Sequence, residues 1–98
     1  MVTAIGGRVV FGFYRPDASQ VSLVGDFNAW RIGQLPMRRR EDGYWIASVR
    51  LPPGTYRFRY VADGRWFCDF AAFGVEYGPF GPDGVVEVPT RAVAWRTG

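Results

Sequence analysis

Residues 55–66 read TYRFRYVADGRW, and this stretch decides the fold class. Aromatic side chains alternate in it with mostly charged ones, which is the period of two that a β-strand imposes. The residues expected to face the core are Tyr56, Phe58 and Tyr60, and those expected to face outward are Arg57, Arg59 and Val61. The Asp63-Gly64 dipeptide is typical of a two-residue hairpin turn, so a second strand is predicted at residues 65–68.

The rest of the chain repeats this pattern of short apolar segments between turns. Further strands are predicted at residues 8–14, 21–25, 35–40, 44–51 and 84–88. Residues 69–83 are expected to form a longer loop, because five of them are Gly or Pro. About seven short antiparallel strands without a helical period predict an all-β fold, a β-sandwich, with a small closed barrel as the alternative. Residues 1–89 are expected to be this domain and residues 90–98 a C-terminal tail.

Composition limits the location and the partners of the chain. Its 98 residues are 48% hydrophobic and contain no long apolar segment, so we expect one domain and no membrane partner. A single cysteine, Cys68, cannot form an intrachain disulfide, and together with the absence of a signal-like N-terminus this favours a cytoplasmic location. All 12 basic residues are Arg and the net charge is only +3, which permits nucleic-acid binding without arguing for it.

Enzymatic chemistry finds little support in the sequence. There is no histidine, which excludes Ser-His-Asp and Cys-His mechanisms and His-rich zinc sites. Cys68 lies among aromatic residues and is interpreted as a small apolar residue rather than a nucleophile. Glycosidic hydrolysis needs two opposed carboxylates, but the acidic residues Asp17, Asp42, Asp63 and Asp83 are all expected at turns. We therefore expect a non-catalytic chain without a cofactor or a metal ion.

Two tryptophans lie outside the expected core. Trp30 follows the turn-rich segment 25–29, and Trp66 follows the Asp63-Gly64 turn, whereas Trp45 falls on a core face. Flat indole rings offer platforms to the apolar C–H faces of sugars, and Arg59 could bond to hydroxyls beside them. The alternative is that both rings cap the ends of the sandwich.

The ordered motifs resemble the family 48 carbohydrate-binding modules. They are VSLVGDFNAW at 21–30, PM at 36–37, DGYW at 42–45, LPPGTY at 51–56, FRYVADGRW at 58–66 and GVVEV at 84–88. The family includes the glycogen-binding domain of the AMP-activated protein kinase β subunit and the N-terminal domains of isoamylases and branching enzymes. The resemblance covers residues 8–89 and implies an immunoglobulin-like β-sandwich.

The resemblance also implies a binding site for α-1,4-glucan such as glycogen, starch, maltooligosaccharide or β-cyclodextrin. Trp30 and Trp66 match the family's two sugar-binding tryptophans, and Arg59 matches its basic residue. Phe80 is placed as the apolar residue inside the curve of the glucan, and Asp83 as the polar residue of the same loop. This loop is one residue shorter than in the family and lacks its Thr.

Three functions therefore remain open. The first is glucan binding that targets an associated glucan-active enzyme or a kinase-like regulator. The second is a protein-interaction module that docks on an amylase-type or kinase-type partner without a working sugar site. The third, a single-stranded nucleic-acid binder, is disfavoured, because the run Arg38-Arg39-Arg40 would alternate faces on a strand and adjoins Glu41 and Asp42.

Overall fold

The computed structural model describes residues 2–69, 74–78 and 81–89, and of residues 74–78 it describes the backbone. These parts contain nine strands and one 3-10 turn, Asp26–Asn28. The strands are β1 (Val2–Ile5), β2 (Arg8–Tyr14), β3 (Val21–Gly25), β4 (Arg38–Arg39), β5 (Tyr44–Arg50), β6 (Gly54–Ala62), β7 (Arg65–Phe67), β8 (Gly74–Gly78) and β9 (Gly81–Val88).

The strands form two antiparallel sheets. One has the order β1-β2-β5-β4, and the other has the order β3-β6-β9-β8, with β7 also paired to β6. In the five-stranded sheet, β6 pairs with β3 through residues 58–62, with β9 through residues 54–58 and with β7 through residues 60–62. The long alternating strand predicted at residues 55–62 is thus the centre of this sheet.

The core fills the space between the two sheets. Phe58 and Tyr60 of β6 are completely buried, and the partly buried Tyr56 packs against the same core. From the opposite sheet, the Phe11 ring meets Phe58 edge to face at 4.9 Å between centroids, and Phe13 stacks on Tyr60 at 4.6 Å. These aromatic pairs join the sheets face to face, which confirms the predicted immunoglobulin-like β-sandwich.

Several strand boundaries differ from the sequence-based expectation. The segment 2–5 was not predicted, yet it forms β1 through a two-residue turn at Gly6-Gly7, whose φ angles are 58° and 82°. The predicted strand 35–40 is split between the sheets. The Met37 N–H donates to Val21 O of β3, whereas Arg38–Arg39 pairs with β5. The prediction of a loop at residues 69–83 was wrong in part, because β8 and the start of β9 lie there. Glycine has a low β-propensity, so the sequence pattern did not indicate these strands.

The predicted hairpin between β6 and β7 is confirmed. Ala62 pairs with Arg65, and the turn residues Asp63 and Gly64 have φ angles of 50° and 82°. The Asp63 carboxylate accepts hydrogen bonds at 3.0 Å from the backbone N–H groups of Ser19 and Gln20. This turn therefore ties β7 to the segment before β3 and fixes the position of Trp66, two residues further on.

Candidate functional site

Trp66 stands on the outer face of the five-stranded sheet. It pairs with Val61 across β6 and β7, while the next residue, Phe67, pairs with the buried Tyr60 and packs on the core. Because neighbouring residues of a strand point to opposite faces, the Trp66 side chain points outward, and 44% of the residue is exposed. The sequence prediction of an exposed indole is correct at this position.

Trp30 is held by the turn that follows β3. Its backbone N–H donates to Gly25 O at 3.0 Å, and both Ala29 and Trp30 are left-handed, with φ angles of 55° and 58°. The buried Asn28 fixes this turn, since its side chain accepts from the Gly25 N–H and donates to Leu23 O. A left-handed bulky residue is costly, so the surrounding bonds hold Trp30 in a defined, half-buried position.

Asp26 connects Trp30 to the centre of the sheet. One oxygen of its carboxylate accepts from Trp30 Nε1 at 3.1 Å, and the other accepts from the Arg57 N–H at 2.8 Å. The bond to Arg57 has a simple cause: β3 ends at Gly25, opposite Phe58, so it offers no ladder partner to Arg57. Asp26 was not among the predicted site residues, although its place directly after the strand and four residues before Trp30 is a usable signal in the sequence.

The two indoles are therefore anchored at separate points along β6. Trp30 is tied through Asp26 to Arg57, and Trp66 lies opposite Val61. At the rise of a β-strand these points are about 13 Å apart. A single pyranose ring is shorter than this distance and cannot reach both anchor points at once.

Arg59 lies between these anchor points, on the same face of β6. Its Nε is 2.5 Å from Asp83 Oδ1, and its guanidinium carbon is 5.9 Å from the centre of the Trp66 ring. Only 13% of the Arg59 side chain and 9% of the Asp83 side chain are exposed. The expected outward direction of Arg59 is correct, but the guanidinium is held by a carboxylate and a ring rather than extended into solvent.

The outer face of the five-stranded sheet also carries three buried valines. Val24 pairs with Arg59 and Val85 pairs with Arg57, so both share the outer face with Val61. All three valines are buried, with exposed fractions of 0%, 6% and 4% for Val24, Val85 and Val61. The sequence placed Val61 on the outward face without expecting its burial. The outward face of this sheet thus carries buried valines, which the alternation pattern alone does not show.

The other two predicted site residues have different outcomes. Asp83 belongs to β9 and not to a loop, and its carboxylate is engaged by Arg59, so its expected contact with a sugar hydroxyl stays a prediction. Phe80, the residue expected inside the curve of the glucan, lies outside the described residues. The proposed tail at residues 90–98, with Trp95, lies outside them as well.

Cys68 is half-buried beside this site and is not activated. Burial raises the pKa of its thiol, and the nearby carboxylates of Asp69 and Asp83 act in the same direction. A raised pKa disfavours the reactive thiolate. Within residues 2–69, 74–78 and 81–89, no three His, Cys, Asp or Glu side chains are placed to hold a metal ion. No helix in these ranges is long and apolar enough to cross a membrane.

Comparison with known proteins identifies the class of domain to which this sandwich belongs. Residues 2–80 match the family described as Carbohydrate-binding module 48 (Isoamylase N-terminal domain). The chain belongs to this family, which confirms the resemblance seen in the sequence.

Three relatives show the contexts in which such a domain is found. The 1,4-alpha-glucan branching enzyme GlgB of Salinibacter ruber is 42% identical over 59 residues, which is 58% of this chain and 10% of that protein. The GlgB of Paramagnetospirillum magneticum is 37% identical over 102 residues, covering 100% of this chain and 13% of the enzyme. Protein PTST homolog 2, chloroplastic, of Arabidopsis thaliana is 38% identical over 52 residues, 53% of this chain and 10% of that protein. The chain thus spans about a tenth of the length of these relatives.

Proposed function

We propose that this chain is a non-catalytic module that binds α-1,4-glucan through Trp30 and Trp66. The observation that carries the proposal is their attachment to one strand at separated points, with Arg59 between them. Stacking on two separated rings favours an oligosaccharide over a single sugar. Membership in a family of carbohydrate-binding modules and the names of the two branching enzymes, which act on 1,4-α-glucan, support this choice of ligand.

The role of each group follows from its chemistry. The two indoles receive the apolar faces of sugar rings, and the Arg59 guanidinium donates hydrogen bonds to hydroxyls near Trp66. The Asp83 carboxylate holds this guanidinium in place, and Asp26 orients the Trp30 ring. Stacking by analogy contributes about 1–3 kcal/mol per ring, so a single site has a dissociation constant on the order of 0.01–1 mM.

A weak site of this kind suits a polymer. Repeated contacts along glycogen or starch raise the effective affinity without a tighter single site. Because the matching region is only about a tenth of each relative, we further propose that the module keeps a glucan-active partner near the polysaccharide.

Isothermal titration calorimetry and tryptophan fluorescence test the proposal with β-cyclodextrin and maltoheptaose. Binding is expected in the parent and is expected to fall at least about ten-fold in Trp30→Ala and in Trp66→Ala. Tyr14→Ala is the matched control, because Tyr14 is 58% exposed on the opposite sheet. A β-linked glucan of similar length controls for linkage.

Absence of glucan binding would favour the second candidate function, a protein-interaction module without a working sugar site. If folded parent protein shows no saturable signal up to about 10 mM ligand, the site does not bind α-glucan in the expected range. Parent-like binding in both tryptophan variants would instead mean that the glucan binds away from Trp30 and Trp66. Circular dichroism of each variant verifies that it is folded.

A further inference from the structure

The outer face of the four-stranded sheet carries chemistry that glucan binding does not use. Val9 and Phe11 of β2 are buried in the core, so the alternating residues Arg8 and Val10 point away from it. The register places Arg50 of β5 directly opposite Arg8, and Ile5 of β1 also opposite Arg8. This face lies on the side of the sandwich opposite to Trp66.

The charge on this face is unbalanced. Arg8 and Arg50 face each other across the strand pair, and like charges at such positions repel. Arg8 donates to the Ser48 hydroxyl at 3.0 Å, which leaves its charge uncompensated. In the part of the chain that the structure describes, the outward-facing positions of β1, β2, β4 and β5 include no carboxylate. The sheet therefore keeps a repulsive pair that an incoming anion would relieve.

Both arginines line a depression on this face. Its volume is about 370 Å³, and its lining residues are Thr3, Ile5, Gly6, Arg8, Val10 and Arg50. Ile5 is 72% exposed, which is a large fraction for an aliphatic side chain. The depression is thus lined by apolar side chains and by two arginines.

We propose that this depression docks an acidic segment of a partner protein. A carboxylate of the segment lies between Arg8 and Arg50, and an apolar side chain next to it packs on Ile5 and Val10. Arginine beside exposed apolar side chains is typical of protein interfaces. A nucleic-acid backbone binds through its phosphates and offers no apolar group to pack on Ile5 and Val10. A second copy of this chain is disfavoured because the two basic faces would repel each other.

The position of the depression gives it a function separate from sugar binding. The outer faces of the two sheets lie on opposite sides of the core, so both can be occupied at once. A module that holds glucan on one face and an acidic partner segment on the other would connect the two without competition.

Nuclear magnetic resonance titration of the ¹⁵N-labelled chain tests this inference. The probe is a synthetic peptide of about ten residues with Glu-Leu-Glu-Leu between Gly-Ser flanks, compared with its Gln-for-Glu counterpart. Amide shifts are expected at residues 5–10 and at Arg50. Affinity is expected to fall at least about ten-fold in the double variant Arg8→Gln/Arg50→Gln and for the Gln peptide.

Controls separate docking from general charge attraction. Arg39→Gln removes one positive charge, as Arg8→Gln and Arg50→Gln each do alone, and its register partner is the core residue Trp45. It is expected to bind like the parent, whereas each of the two single variants is expected to bind more weakly. Saturating β-cyclodextrin is expected to leave the peptide affinity unchanged.

Four results would overturn the proposal. They are no localised shift up to about 5 mM peptide, an equal loss in Arg39→Gln, peptide shifts centred on Trp66, or tighter binding of an oligothymidylate than of the peptide. None of these depends on whether the sugar site works, so failure here is distinguishable from failure of the proposed function.

Discussion

Arg59 and Asp83 form an ion pair across β6 and β9, with Nε and Oδ1 2.5 Å apart and both side chains nearly buried. The pair is placed by the register, since Phe58 lies opposite Gly84 and the two charged residues follow on the outward face. Because Arg59 also lies 5.9 Å from the Trp66 ring centre, the bond fixes a cation beside an exposed indole. The pair thus links the stability of the sheet interior to the position of a cation beside Trp66.

Removal of the carboxylate tests this link. Asp83→Ala leaves the Arg59 charge nearly buried without this partner, so the free energy of unfolding is expected to fall by about 3 kcal/mol. The double variant Arg59→Met/Asp83→Ala is expected to lose less, because no unpaired charge remains. Urea denaturation of the parent, Arg59→Met, Asp83→Ala and the double variant measures both effects. A loss below about 0.5 kcal/mol in Asp83→Ala would show that the pair contributes little.

Asp26 is expected to control the orientation of Trp30. Asp26→Ala removes the acceptor of the Trp30 indole and the acceptor of the Arg57 N–H. Two lost bonds predict about 1–2 kcal/mol lower stability. Maltoheptaose affinity is expected to fall about 3- to 10-fold, because the ring is no longer held.

Asp17→Ala is the control for Asp26→Ala, since it removes the same charge from an exposed turn residue. Calorimetry and thermal unfolding of both variants check the prediction. Equal sugar affinity in parent and Asp26→Ala would mean that the left-handed backbone alone positions Trp30.

The predictable part of this protein is the part that depends on alternation and turns. The faces of β6 and the Asp63-Gly64 hairpin were correct because aromatic alternation and a two-residue turn each have one simple structural solution. The exposure of Trp66 followed directly from that hairpin. The family resemblance was also correct, because it rests on several motifs in order.

The missed features depend on contacts between distant residues. The ion pair of Arg59 with Asp83 requires the β6–β9 register, which no local pattern specifies. The burial of Val24 and Val61 on an outward face depends on what packs over that face. Asp26 acts on Arg57, 31 positions along the chain, because β3 happens to end at Gly25. Such features need the folded arrangement.

Gly25 is expected to tolerate no side chain. Its φ angle is 179°, which any residue adopts, so the backbone conformation is not the reason. A Cβ atom there would lie 2.6 Å from Arg57 O and 2.7 Å from Cζ of Phe27. Gly25→Ala is therefore expected to lower the free energy of unfolding by about 2–3 kcal/mol through overpacking.

Gly33→Ala separates steric from conformational cost. Gly33 has a φ angle of 90° and open space around its Cα, so this variant measures left-handed strain alone. Thermal and urea unfolding of both variants check the comparison. A Gly25→Ala protein as stable as the parent would contradict the close packing between the end of β3 and β6.

The free energy of unfolding is expected to fall in alkaline solution because of Tyr60. Burial raises the pKa of this phenol well above its ordinary value, and Asp69, whose Oδ2 accepts its O–H at 2.8 Å, raises it further. The folded chain therefore keeps the proton while the unfolded chain loses it near pH 10. Stability from this group is fully present below about pH 9 and falls above pH 10 by up to about 1.4 kcal/mol per pH unit.

Cys68 contributes in the same direction, since the pKa of its thiol is also raised in the folded protein. Urea denaturation between about pH 8 and pH 11 is therefore best measured in a Cys68→Ala background, with and without Tyr60→Phe. Tyr60→Phe is expected to be less stable at pH 8, because the bond to Asp69 is lost, but to show the shallower alkaline decline. Parallel declines in the two proteins would mean that Tyr60 ionises equally easily in the folded and unfolded chains. That result would contradict the complete burial of Tyr60 and the contact of its hydroxyl with Gly12 O of β2.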